Sequence, residues 1–338
     1  MRIIHLLASP VFSGPAENIS QLALSQRALG HQVVVAVDRK RRSVSSEELA
    51  AARFGALALL DAGGLELSIK STPLGVLRDI RALKARSENV VHCHFSHDHW
   101  LARLARRPGS VLIRSFHAPR SLRITAPYAD AFTVPDGLEV PFRKRPTHVL
   151  PALVDASFRP AANKALLRGA LGLNGTPLIG MISTFQASRR HALGLEAFAK
   201  VRAERKEARL VLVGDGVLLP AIRERVRATQ LADSVIFPGY RSGPEFVSLL
   251  QALDEVWILG LGNDYSARAA AQARACGVRV VSVAEGALAS FADVVTAPNA
   301  AAISSASLGD IRRELTPLRN EDVARSILSL YAEAGARE

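Results

Sequence analysis

The stretch Arg209-Leu210-Val211-Leu212-Val213-Gly214 decides the fold. Leu210–Val213 is a short, unbroken apolar run without polar alternation, as expected for a strand covered on both faces. The amphipathic segment Leu218–Thr229 follows and reads as a helix. A buried strand leading into a helix is the repeating unit of a parallel α/β sheet. Outward from this unit the pattern recurs. Leu178–Ser183 reads as a strand and His191–Glu204 as a helix. On the other side come strand Val235–Pro238, helix Pro244–Gln251, strand Glu255–Leu259, helix Ser266–Ala275, strand Val278–Val283 and a terminal helix, Glu321–Ala334.

An earlier series occupies the front of the chain. Ile3–Ala8 reads as a strand, Glu17–Leu29 as a helix closed by Gly30, and Gln32–Val37 as a β-branched strand. Leu57–Leu60 is a further strand candidate. Leu74–Arg86 reads as a basic amphipathic helix, Asn89–Cys93 as a strand, His97–Ala105 as a helix and Val111–Phe116 as a strand. The pattern weakens at Pro135–Pro160, where prolines stand at 135, 141, 146, 151 and 160, and the domain boundary is placed near residue 155. No repeat of fixed period is present. The expected fold class is α/β, with two Rossmann-like, doubly wound parallel-sheet domains facing across a cleft. Residues 1–155 and 156–318 form the domains, and 319–338 a helix crossing back to the first. Ligands in open α/β sheets bind outside the carboxyl ends of the strands.

Composition agrees with this reading. The chain has 338 residues, 49% hydrophobic and 22% charged, which suits two folded domains and excludes a disordered chain. Apolar runs such as Val33–Val37 are far too short to span a bilayer, and Met1–Leu7 reads as a first buried strand rather than a leader. The two cysteines, Cys93 and Cys276, are expected to be buried reduced thiols, which points to a cytoplasmic location. The net charge of +12 predicts affinity for anions. Aromatic content is only 5% and is not interleaved with basic residues, so no nucleic-acid partner is expected. A sugar nucleotide or an anionic membrane surface fits better, the latter through the dense run Arg39–Arg42.

Several segments could carry chemistry. Ser9–Glu17, with Gly14 at its centre, lies between a strand and a helix, where amides can face an anion. It reads equally as a tight turn, because the dinucleotide pattern G-x-G-x-x-G is absent. Val90–His99 holds four histidines, at 92, 94, 97 and 99. No distant carboxylate or thiol set completes a zinc site, so no metal is expected, and Ser96 and Asp98 read as caps for the helix that follows. His117 stands at the carboxyl end of a strand, as a cleft residue should. In Gly180–His191, Arg189 and Arg190 end a polar loop and could grip a diphosphate. In Leu259–Arg268, glycines allow close approach, and the amides of Ser266, Ala267 and Arg268 open a helix. Asp264 and Gln272 are eight residues apart, one on the loop and one two turns into the helix, and both can address one ligand.

At these residues the chain resembles the family-4 retaining glycosyltransferases of GT-B fold. Ser13-Gly14-Pro15-Ala16-Glu17 is similar to the family's opening loop, and Leu29-Gly30-His31-Gln32-Val33 to its "GHxV" strand entry. Val91-His92-Cys93-His94 is similar to "VHxH", and Leu193–Phe198 with Leu210–Gly216 to "LLEAF…LVIVGDG". Phe237-Pro238-Gly239-Tyr240 is similar to "FxGy", and Ala273–Val281 to "AMACGVPVV". The resemblance implies a nucleotide-diphosphate sugar as substrate, bound by the second domain, and a glycan or lipid-linked acceptor at the first. It also implies retention, no cofactor and no metal. His117 falls where the family keeps a histidine near the transferred sugar, and Asp264 and Gln272 stand for its E-x7-E pair. His117 and Asp264 are the expected catalytic residues. Gly14, Glu17, Thr184, Arg189, Arg190, Tyr240, Asp264, Ser266, Ala267, Arg268 and Gln272 are the expected donor-binding set. Thr184 and Gln272 depart from the family's cation and acid. They favour an alternative, a GT-B scaffold that binds a nucleotide or partner without transfer. The setting expected is cell-envelope polysaccharide or lipopolysaccharide assembly, in the cytoplasm or on the inner face of the membrane.

Overall fold

The computed structural model describes residues 1–41, 49–122, 128–141, 144–260, 267–309 and 319–337. The chain divides into two compact units, Met1–Leu153 with Pro317–Glu338, and Val154–Thr316. Among the described residues, no helix is long and apolar enough to cross a membrane.

The first unit holds strands β1 (Arg2–Leu7), β2 (Gln32–Val37), β3 (Val90–Cys93), β4 (Val111–Ser115), β5 (Ala131–Val134) and β6 (Thr147–Val149). They form one sheet of order β2-β1-β3-β4-β5-β6, with every pairing parallel. The order reverses between β1 and β3, where His5 lies opposite His92. Helices α1 (Gly14–Ala28), α2 (Ala50–Ala56), α3 (Pro73–Lys84) and α4 (Ser96–Leu104) connect the strands. α1 begins earlier than its apolar spacing predicts, because Pro15 fits the first turn of a helix, where its missing N–H is no loss. Leu57–Leu60 does not form the expected strand. Ala58 has φ 54°, a left-handed conformation that breaks an extended run, and only Leu60 bridges Val35.

The second unit holds β7 (Leu178–Ile182), β8 (Arg209–Val213), β9 (Val235–Gly239), β10 (Glu255–Ile258), β11 (Arg279–Val283) and β12 (Val294–Thr296). Its sheet is also wholly parallel, in the order β12-β11-β10-β7-β8-β9, so the direction of winding reverses between β7 and β10. Helices α6 (His191–Glu204), α7 (Leu219–Ala228), α8 (Gly243–Ala252) and α9 (Arg268–Ala275) connect its strands, while α5 (Lys164–Ala170) precedes β7 and α10 (Ala300–Leu308) follows β12. Glu255 and Arg279 lie opposite each other on β10 and β11 and form a buried ion pair. The Arg279 guanidinium also donates to the carbonyls of Ala306 at 2.8 Å, Gly309 at 3.0 Å and Ser307 at 3.3 Å, and so caps the end of α10.

A last helix, α11 (Asn320–Glu333), belongs to the first unit. Its Val323, Ala324, Ile327, Leu330 and Tyr331 join the apolar cluster of Ile3, Ile19, Leu22, Ala23 and Val33. Cys93 and Cys276 are both buried free thiols.

Candidate functional site

The loops after β7 and β8 are laid directly on one another. Ser183 N donates to Val213 O at 3.1 Å, Phe185 N to Asp215 O at 2.9 Å, and Leu218 N to Phe185 O at 3.0 Å. Glycine makes this possible. Gly214, at φ 138°, would place a Cβ 2.2 Å from Ser183 O, and Gly216, at φ 151°, one 2.7 Å from Phe185 N. No side chain fits at either position. Under these loops Phe185 is buried and stacks on His191, with ring centroids 4.2 Å apart and planes 7° apart. Ser183 Oγ lies 3.3 Å from His191 Nε2. Burial, helped by the Arg189 charge, pushes His191 down to about 4, so its ring is neutral near pH 7.

Arg190 joins the two loops that flank the reversal in the sheet. It opens α6 in a left-handed conformation, φ 54° and ψ 38°. Its Nη1 points at the carbonyls of Leu259 at 3.4 Å and Gly260 at 3.5 Å, beyond β10, while its Nη2 lies 3.4 Å from Glu285 Oε1, beyond β11. This side chain is a strut between strands. Arg189 is partly buried in the preceding single turn of 3-10 helix, Ala187–Arg189. Thr184 is exposed on the same loop, and Tyr240 is 65% exposed after β9. Ala267 is buried at φ 44° just before α9, Arg268 opens that helix, and Gln272 is buried within it. Asp264 and Ser266 lie outside the described residues, as does Arg42 of the basic run. Thr184, Arg189 and Arg190 therefore share one loop. Through Arg190 that loop contacts the segment entering residues 261–268.

Gly14, Glu17 and His117 lie in the first unit. Gly14 and Glu17 form the first turn of α1, and His117 follows β4. Burial, with Arg114 adding to it, pushes His117 down to about 3. Asp98 caps α4 as expected, from the third position of its first turn, whereas Ser96 is the first helical residue and caps nothing. The Asp98 carboxylate accepts from Phe95 N at 2.9 Å and from Ala8 N at 3.1 Å, tying the loop after β1 to the start of α4. Burial raises Asp98 to about 7, against the pull of Arg114 at 3.6 Å. His5, His92 and His94 bring ring nitrogens within 4.8 Å of one another. His5 Nδ1 bonds His94 Nε2 at 3.0 Å, and both nitrogens of His92 are engaged, by Tyr331 and Ser115 at 2.7 Å each.

Several of these residues escape a sequence reading. Ser183, His191 and Glu285 adjoin predicted positions and carry no motif of their own. His5, Gln26 and Tyr331 are too far apart in sequence to signal one another. Asp98 alone had a legible sign, an acid in the first turn of a helix that could bond the backbone preceding it.

Residues 176–308, which run from just before β7 through α10, match the family model described as Glycosyl transferases group 1. Over the whole chain the fold is GT-B, two Rossmann-like units each built on a six-stranded parallel sheet. Among solved structures it is similar to a glycosyltransferase from Rickettsia africae ESF-5, with 14% identity, TM-score 0.76, and coverage of 100% of this chain and 99% of that one. It is similar to Anabaena HepE in complex with UDP and glucose, with 13% identity, TM-score 0.69 and coverage of 99% and 93%. It is also similar to the lipopolysaccharide outer core galactosyltransferase WaaB, with 14% identity, TM-score 0.61 and coverage of 99% and 98%. No curated protein matches the sequence.

Proposed function

We propose that the chain is a glycosyltransferase that moves a sugar from a nucleotide-diphosphate donor to a glycan or lipid-linked acceptor with retention, without a metal. The observation that carries this reading is the pair of loops at the reversal of the second sheet. The loop after β7 carries Thr184, Arg189 and Arg190, and both loops lie within the residues that match the glycosyltransferase family. Parallel α/β sheets bind ligands at such a reversal, and helix N-termini and guanidinium groups favour phosphate. In this reading Arg189 and the start of α9 hold the donor diphosphate, with Asp264, Ser266, Ala267, Arg268 and Gln272 around it. Tyr240 meets the base. Charge growing on the leaving diphosphate is offset by guanidinium and helix-end amides. The first unit holds the acceptor, and His117 addresses a sugar hydroxyl. The fold shared with HepE bound to UDP and glucose supports a nucleotide sugar, and the fold shared with WaaB supports a role in cell-envelope glycan assembly.

Calorimetry with a panel of nucleotide sugars tests the donor assignment. One donor is expected to bind, and Arg189→Ala to weaken it by about 1–3 kcal/mol, the worth of a charge-assisted hydrogen bond. Unchanged affinity removes Arg189 from the site. Tight binding without transfer or hydrolysis supports the binding-only alternative, which the neutral Thr184 and Gln272 favour.

The same reading places the protein on the inner face of the cytoplasmic membrane. α3 and the turn before it expose Ile69, Leu74 and Leu77 beside Lys70, Arg78 and Arg81. An apolar edge flanked by cations suits an anionic bilayer. Co-sedimentation with phosphatidylglycerol vesicles is expected to exceed that with phosphatidylcholine and to fall several-fold with Leu74→Glu. Equal sedimentation with both lipids removes the membrane from the proposal.

A further inference from the structure

A single hydrogen-bonded chain runs through the core of the first unit. His94 Nε2 lies 3.0 Å from His5 Nδ1, and His5 Nε2 2.9 Å from Gln26 Oε1. Gln26 Nε2 lies 3.1 Å from the Tyr331 hydroxyl, which is 2.7 Å from His92 Nδ1. His92 Nε2 is 2.7 Å from Ser115 Oγ, and Ser115 Oγ 2.5 Å from Thr133 Oγ1. All of these side chains are buried.

Gln26 gives the chain its direction. An amide oxygen only accepts and an amide nitrogen only donates, while a neutral imidazole carries one proton. Burial holds His5, His92 and His94 neutral. Gln26 Oε1 requires the proton of His5 on Nε2, so His5 Nδ1 accepts. Its donor is then His94 Nε2–H, and His94 Nδ1 carries a lone pair. On the other side Gln26 Nε2 donates to Tyr331, the Tyr331 hydroxyl to His92 Nδ1, and His92 Nε2–H to Ser115. Five of the six ring nitrogens in these histidines are thereby satisfied. The sixth, His94 Nδ1, is buried without a protein partner. His117 Nε2 is in the same condition, on a ring 5.8 Å from that of His94.

A buried acceptor without a donor is destabilising, and native cores seldom keep one that water or a ligand does not complete. His94 directly follows β3, at the reversal between β1 and β3, where parallel α/β sheets take up ligands. We infer that His94 Nδ1 is a hydrogen-bond acceptor for a ligand hydroxyl, held in that tautomer by Gln26 acting through His5. Gln26 and His5 are positioning residues, and His94 is the hydroxyl-recognising group. The inference takes from the glycosyltransferase reading only the expectation that the ligand is a polyol.

Long-range nitrogen–proton correlation spectra of the full chain with 15N-labelled histidine test it without any assay of transfer. His5, His92 and His94 are each expected to carry the proton on Nε2. A proton on His94 Nδ1, the pattern of a reversed chain, overturns the assignment on the unmodified protein. Gln26→Met is expected to release the tautomers of His5 and His94 into mixtures, and Tyr331→Phe to affect His92 alone. Retention of a single His94 tautomer in a folded Gln26→Met protein removes Gln26 as the positioning residue. Glycerol and D-glucose serve as hydroxyl probes. Either is expected to move the His94 Nδ1 resonance toward its hydrogen-bonded position and leave His5 in place. If neither moves it, the hydroxyl site falls. A failure to bind any nucleotide sugar would count against the proposed transferase alone, since these readouts do not depend on a donor.

Discussion

Arg279→Ala is expected to destabilise the second unit by about 3–5 kcal/mol, the range found when one partner of a buried ion pair is removed. Both partners are shielded from water, with side-chain exposures of 7% for Arg279 and 6% for Glu255. Loss of the guanidinium leaves the Glu255 carboxylate buried with only neutral donors, among them Trp257 Nε1. It also strips three carbonyls at the end of α10 of a donor. Burial already raises Glu255 above the usual carboxylate range, so without Arg279 the group is driven further toward its protonated form. Glu255→Gln in the Arg279→Ala background is expected to recover part of the loss, because it removes the orphaned charge. Urea titration measures both variants. A loss below about 1 kcal/mol would mean that water reaches the pair, at odds with its burial.

The second large effect is acid lability. His5, His99 and His191 are pushed down to about 4 and His117 to about 3, while His92 and His94 lie well below their ordinary value. Burial is the leading cause in each case. An unfolded histidine titrates near 6.5. Between that pH and about 4 the unfolded chain therefore binds protons that the folded chain refuses, and stability falls with falling pH. The contribution of these groups is complete above about pH 6.5 and is lost as pH drops through the folded values. Asp98, raised to about 7, acts in the opposite sense, since its contribution is present below about pH 4 and lost as pH rises through 7. Two raised carboxylates, Asp98 and Glu255, stand against these six imidazoles, so the histidines decide the slope. Tm is expected to fall steeply from pH 6.5 to 4, and calorimetry in buffers of different ionisation enthalpy to register uptake of several protons on unfolding. A Tm that stays level from pH 7 to 4.5 would contradict the neutral, buried histidine cluster.

The architecture was largely legible because its central strands advertise themselves. Val33–Val37 and Leu210–Val213 are β-branched or aliphatic runs that only a doubly covered strand explains. The weaker elements lacked such a signal. β6 is three residues long, follows Pro146 directly and is not fully buried. β5 is only four residues, Ala131–Val134. α10, Ala300–Leu308, is small and apolar on nearly every face, so its spacing has no contrast to read. Leu57–Leu60 misled because a left-handed backbone at Ala58 leaves no trace in composition. At the site, the loop of Thr184, Arg189 and Arg190 was found from its polar residues after an apolar strand. That Arg190 would be spent on main-chain carbonyls and Glu285 was not, because those partners lie 69 to 95 residues away. The same distance hid the Gln26–Tyr331 contact, which spans 305 residues.

That last contact orders events during synthesis. Val154–Thr316 is one uninterrupted stretch and has all its strands once residue 316 has left the ribosome. The earlier-made unit waits longer, because Tyr331 and the apolar face of Asn320–Glu333 are translated after the whole of its neighbour. Until then Gln26 and His92 lack their Tyr331 partner and the apolar cluster lacks its α11 residues, so a nascent chain keeps its oldest portion incomplete while its younger portion folds.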